Sequence, residues 1–155
     1  MSNSYKRVMA ALDAADVQTE VLEMAGETRT AQQAADQAGC DLDQIAKSVI
    51  LQAEDETCFL FLTAGGNRVD LDKASAVAGR PLSQADAALI RKTTGFAIGG
   101  VSPVGHLTPI KAFVDPRLSE FDVIFAAAGT PRHIFPIKPS KLIAMVEGAL
   151  EDFVI

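Results

Sequence analysis

Apolar positions at the start of the chain recur with the period of a helix. Val8, Met9, Leu12 and Ala15 share one face of residues 4–15, SYKRVMAALDAA. Residues 17–23, VQTEVLE, alternate apolar and polar and predict a half-buried strand. Thr30 opens a second helix, TAQQAADQAG. Its hydroxyl suits the N-cap, Gln33 completes a capping box, and Gly39 suits the stop. Asp41 and Gln44 repeat that spacing in DLDQIA, a short helix that runs into the β-branched KSVILQA. That run and CFLFLT predict a hairpin across Glu54-Asp55-Glu56, and Gly65-Gly66-Asn67 ends its second strand.

Two more helices follow, DLDKASAVAG capped by Asp70 and SQADAALIRK capped by Ser83. They lead into TGFAIGGVSPVGH, residues 94–106, where four glycines weaken any helix or strand. IKAFVD, FDVIFAAAG and HIFPIK read as strands, the last at an edge or an end because Pro136 has no N–H for a ladder. PSKLIAMVEGALEDF predicts a closing amphipathic helix. This order lacks the steady β-α alternation of a doubly wound sheet. It predicts one domain over residues 1–155, of mixed α/β class, with a curved, barrel-like mixed sheet and helices packed outside.

Composition narrows the setting. With 155 residues, 48% of them hydrophobic, the chain can bury one real core. No apolar run approaches the roughly 18–20 residues that cross a bilayer. The charged, amphipathic N-terminus does not read as a signal peptide. Cys40 and Cys58 set no disulfide framework, so a cytoplasmic protein with reduced thiols and no membrane partner is expected. The net charge of −6 argues against a general nucleic-acid binder. Its spread is uneven: residues 1–60 hold 4 basic and 11 acidic side chains, residues 61–155 hold 10 and 9. Arg68, Lys73, Arg80, Arg91, Lys92, Lys111 and Arg132 therefore form either a local basic surface or scattered solvated charges.

Several chemistries are excluded by spacing. The glycine stretch has no Gly-Lys-Ser/Thr end to hold phosphates, and Pro103 interrupts any helix that a dinucleotide fingerprint would open. His106 and His133 lie 27 residues apart without a zinc-site pattern, and no G-x-S-x-G elbow is present. An enzyme built from this chain is expected to use neither a metal nor a covalent nucleophile.

Three places can carry chemistry. Lys47 falls at the predicted helix-to-strand junction between apolar neighbours; it either snorkels to solvent or aims an ammonium into a cleft. Gly99-Gly100-Val101-Ser102-Pro103 is either a tight structural turn or a cradle whose backbone N–H groups approach a carbonyl oxygen. Gly129 to Phe135, GTPRHIF, puts His133 after a turn, as a pocket donor or as a strand-edge residue.

Together, RTAQQAA, QIAKSVIL, GNRVDLDK, TGFAIGGVSPVGH and AAAGTPRHIF resemble the YbaK-like family of freestanding aminoacyl-tRNA deacylases, relatives of the editing domain inserted in bacterial prolyl-tRNA synthetases. The resemblance spans about residues 5–150. It implies hydrolysis of the ester of mischarged tRNA, chiefly tRNA-Pro carrying Ala or Cys, with no cofactor and no metal. Mischarged tRNA, and a prolyl-tRNA synthetase beside it, are the implied partners. Lys47 matches the family lysine, Gly99 to Pro103 the family G-x-x-x-P loop, and His133 the histidine of a late glycine-containing turn. The implied catalytic set is Lys47, Gly99, Gly100 and Pro103, with Thr30, Ser48, Arg68, Val101, Ser102 and His133 around the substrate. Several relatives have asparagine after the lysine, where this chain has Ser48. The alternative is a non-catalytic module of the same fold that binds aminoacyl-tRNA or a nucleotide.

Overall fold

The computed structural model describes residues 3–28 and 30–155; Arg29, which opens the RTAQQAA segment, lies outside them. Helix α1 spans Asn3–Ala14 and buries Val8 and Leu12. Strand β1 is only Leu22–Glu23, so the expected strand over 17–23 pairs at its last two residues. Upstream, the Thr19 hydroxyl donates to the Pro136 carbonyl (2.6 Å), and a side-chain bond stands where a ladder was expected. Helix α2, Ala31–Ala38, has the capping box read from Thr30 and Gln33, and Gly39 takes the left-handed stop at φ 71°.

A 3-10 turn, Leu42–Gln44, ends before β2, Ile45–Ala53, which forms the predicted hairpin with β3, Cys58–Ala64, in the register Lys47↔Thr63. Lys47 is thus the third residue of a strand and not a junction residue. Helix α3 is Leu71–Ala78 with Asp70 as cap. Strand β4, Leu82–Gln84, takes up Ser83, and helix α4, Ala87–Thr94, is capped by Asp86. The Ser83 cap is therefore corrected: Ser83 pairs with Gln52 in a ladder, and the Asp86 carboxylate accepts from Leu89 N–H (2.8 Å).

Strand β5, Lys111–Val114, leads to a 3-10 turn, Pro116–Glu120, then β6, Ile124–Thr130, and β7, His133–Ile137. Helix α5 stops at Val146 instead of running to Phe153. Glu147 turns left-handed at φ 51°, and an added Cβ at Gly148 would lie 2.6 Å from Val114 Cγ2. The chain then leaves as β8, Ala149–Leu150, parallel to β5.

These strands form one mixed eight-stranded sheet, ordered β1-β7-β6-β2-β3-β5-β8, with β4 also on β2; the path does not close on itself. Side chains alternate between its faces. Leu62, Ala64 and Ala46 pack with α1 and α5 residues around Phe135 and Leu118. Leu51, Phe59 and Phe61 pack on the other face with Ala74 of α3 and with Phe153. Phe61 sits 4.9 Å ring to ring from Phe153 and 5.2 Å from Phe113. Each such ring contributes about 1.5–3 kcal/mol by burial. Both faces are thus covered, which makes β2 and β3 a rigid base for whatever stands at their ends.

Candidate active site

The site originates in a fault of the sheet. One edge of β2 is fully paired with β3, from Ala46 to Gln52. Its other edge is shared: β6 pairs in parallel at Ile45 and Ala46, and β4 pairs antiparallel from Leu51 to Ala53. Lys47, Ser48, Val49 and Ile50 lie between, with no ladder partner on that edge among the described residues; Ala85 N–H reaches the Ile50 carbonyl at 3.4 Å. A cleft of about 710 Å³ opens there. Because side chains alternate, Lys47 and Ser48 leave β2 on opposite faces, and the cleft wraps round the exposed edge to include both.

On the Lys47 side the walls are polar. Lys47 Nζ donates to the Asn67 carbonyl at 2.5 Å, within the Gly65-Gly66-Asn67 turn that ends β3. Burial lowers the Lys47 pKa first, and the neighbouring Arg68 lowers it further; Asp43 and Asp115 act in the opposite direction. Arg68 lines the cleft with an exposed side chain. Thr30, Ala31 and Gln32 at the start of α2 complete this wall. Of the seven cations grouped from the sequence, only Arg68 lines the cleft. Lys73 pairs with Asp152 (3.4 Å) and Arg80 with Asp55 (2.7 Å).

On the Ser48 side the walls are apolar: Ile50, Ile90, Val101, Ala126 and Ile134. The Ser48 hydroxyl is buried and has no hydrogen-bond partner among the described residues. Opposite stands the turn Ala97 to Gly100, closed by Gly100 N–H donating to the Ala97 carbonyl (3.0 Å), with Gly99 at φ 93°. That φ is the reason glycine is needed there. Ile98, Gly99 and Val101 line the cleft. Among the described residues, the N–H groups of Gly99 and Val101 have no acceptor, whereas that of Gly100 is used inside the turn.

The structure therefore brings Thr30, Lys47, Ser48, Arg68, Gly99 and Val101 together, and leaves Gly100, Ser102, Pro103 and His133 outside the lining. Gly100 supports the loop from behind: a Cβ there would lie 2.9 Å from Thr130 Cα. Ser102 and Pro103 turn inward and are buried; the Ser102 carbonyl meets His106 Nε2 at 2.6 Å. Pro103 and His106 line a separate hollow of about 390 Å³ between α1 and α5. His133 is buried, edge-on to Tyr5 at 5.0 Å, with Nδ1 2.6 Å from the hydroxyl of Thr130, a cleft residue. Thr130 Oγ1 also accepts from Arg132 N–H (3.1 Å), and His133 Nε2 has no partner among the described residues. Its reach to the cleft is through Thr130.

Sequence reasoning missed Asn67, Asp115 and Thr130. Asn67 was within reach: the hairpin register sets Lys47 opposite Thr63, four residues before it.

A mixed α/β domain whose sheet parts around a lysine, facing a glycine turn, is the class that fold and site define. A family model, the aminoacyl-tRNA editing domain, matches residues 25–145. The solved structure of a candidate trans-editing enzyme for prolyl-tRNA synthetase is 41% identical, covering 100% of this chain and 99% of its own, with a TM-score of 0.93. A scaffold used in computational grafting of linear epitopes is 39% identical with the same coverage and a TM-score of 0.93. The uncharacterized protein YwhH of Bacillus subtilis (strain 168) is 28% identical over 125 residues, 81% of this chain and 80% of its own. The chain belongs to the aminoacyl-tRNA editing domain family and is YbaK-like.

Proposed function

We propose that this protein is a trans-editing deacylase. It hydrolyses the ester between a small wrong amino acid, Ala or Cys, and the terminal ribose of tRNA-Pro, in the cytoplasm and beside a prolyl-tRNA synthetase. The observation that carries this reading is Lys47 standing at the unpaired stretch of β2, with the Gly99 turn across the cleft from it. A cleft of about 710 Å³ suits an aminoacyl group together with its nucleoside, since pockets for ligands of that size span about 300–1,000 Å³.

Water adds to the ester carbonyl, and the resulting oxyanion is held by the free N–H groups of Gly99 and Val101. Each such donor contributes a few kcal/mol in acyl transfer. Collapse breaks the bond to the ribose oxygen, which takes a proton, and releases the amino acid. Lys47 acts as a cation that orients the substrate's polar groups; an ammonium cannot serve as the general base. The apolar Ser48 side receives the amino-acid side chain. The mechanism calls on no metal. A pocket of this kind separates side chains differing by one methylene by only about 1–3 kcal/mol.

The test is a panel of mischarged tRNAs with wild type beside Lys47→Ala. Release of Ala or Cys from tRNA-Pro by wild type, reduced on the order of a hundredfold or more in the folded variant, is the expected result. Binding of aminoacyl-tRNA without release would make the protein a non-catalytic module. Equal turnover by the variant would remove Lys47 from the mechanism.

A further inference from the structure

The Lys47 ammonium is held by a main-chain carbonyl, and a carbonyl is only as well placed as its turn. The Gly65-Gly66-Asn67 turn is fastened from two sides. Asp115, 2% exposed where β5 ends, accepts from Ala64 N–H (3.1 Å) and Asn67 Nδ2 (2.8 Å) at Oδ2 and from Arg117 N–H (3.0 Å) at Oδ1. Asp43 accepts from Gly66 N–H (2.8 Å) and from Arg117 Nε (3.0 Å). The turn has no slack, because a Cβ on Gly65 would overlap the Leu42 carbonyl and one on Gly66 the Asp43 carboxylate. We propose that Asp115 is a positioning residue for Lys47: through the Asn67 side chain it fixes the carbonyl that holds the ammonium at the cleft.

A carboxylate is the group this place requires. Three N–H donors converge on it and none of its neighbours asks for a proton, so an asparagine would turn its own NH₂ toward a donor. Burying that charge is unfavourable unless such bonds compensate. The charged groups that face Lys47 are Arg68, which disfavours its proton, and Asp43 and Asp115, which favour it. Asp115 thus acts on Lys47 twice, by placing its acceptor and by offsetting its burial.

The activity arm of the test rests on the deacylase reading; the titration arm does not. Asp115→Asn and Asn67→Ala are made in protein carrying ¹³C-labelled lysine, and the Lys47 ε-carbon signal, assigned with Lys47→Arg, is followed against pH by NMR. In Asp115→Asn the Lys47 pKa falls by about half a unit or more. Deacylation kcat falls on the order of tenfold or more in both variants, because a small misplacement of a positioning group is costly. A folded Asp115→Asn with wild-type Lys47 titration and wild-type kcat overturns the proposal. Should Asp115→Asn not fold, Asn67→Ala decides: it removes the link at a half-exposed position, and an unchanged kcat overturns the proposal. Wild type inactive on every tRNA removes the deacylase reading, and the Lys47 titration in Asp115→Asn then decides the role of Asp115.

Discussion

Two glycine turns line the cleft, and they are built differently. Gly65-Gly66-Asn67 is tied by hydrogen bonds donated to Asp43 and Asp115, and its glycines are glycines because backbone and carboxylate press on them. The Gly99 turn is closed by the Gly100 N–H bond to the Ala97 carbonyl, carries Ile98 at 55% exposed, and leaves the N–H groups of Gly99 and Val101 without an acceptor among the described residues. One turn is rigid and aims a cation. The other offers donors. The proposed deacylation, which admits a bulky ester and holds its oxyanion, has use for one wall of each kind.

That contrast can be broken by mutation. The largest effect is expected for Gly65→Ala, whose new methyl meets the Leu42 backbone: a loss of about 3 kcal/mol or more in urea denaturation, with Lys47 displaced. Gly100→Ala, pressing on the Thr130 backbone, is expected to lose about 1–3 kcal/mol by the same measurement. If it costs as much as Gly65→Ala, the two turns are equally rigid and the contrast fails. Gly99→Ala is expected to lose about 1 kcal/mol from its left-handed φ, with a larger proportional loss in kcat than in stability.

The smallest expected effect is on stability in Lys47→Met. The folded chain lowers the Lys47 pKa, so the unfolded chain holds that proton more tightly. Wild-type stability therefore rises as pH climbs from the folded pKa towards 10.5, and below that window the lysine is a burden. Lys47→Met should be inactive yet melt no lower than wild type at pH 7, with a flatter stability profile near pH 10.

The hairpin, the caps at Thr30 and Asp70, and the turn after β3 were legible because they are local: capping residues, alternation and glycine act over a few positions. Lys47 and the Gly99 turn were each legible as one of two readings, and the family resemblance joined them into one candidate site. The parting of β2's edge was not legible. It arises from a parallel partner, β6, nearly eighty residues later, and no local pattern announces which strand will stop short. Asp115 was hidden for the same reason: the parallel pairing of β5 with β3 brings it under Asn67 across 48 residues. Pro103 read as part of the cradle because proline shapes turns, but burial on the α1 side draws it away from the cleft. Ser83 was the plausible cap until the strand claimed it.

The unpaired stretch of β2 has a second consequence. A strand with free backbone groups on one edge is an invitation to any other extended chain, and proteins commonly guard such edges against aggregation. Here the stretch without ladder partners is four residues long, lines a cleft together with residues of α2 and the Gly99 turn, and bears a lysine. The opening is thus too short for a neighbouring strand to dock, and a variant that shortened the β4 pairing is expected to turn the same feature into a site of self-association.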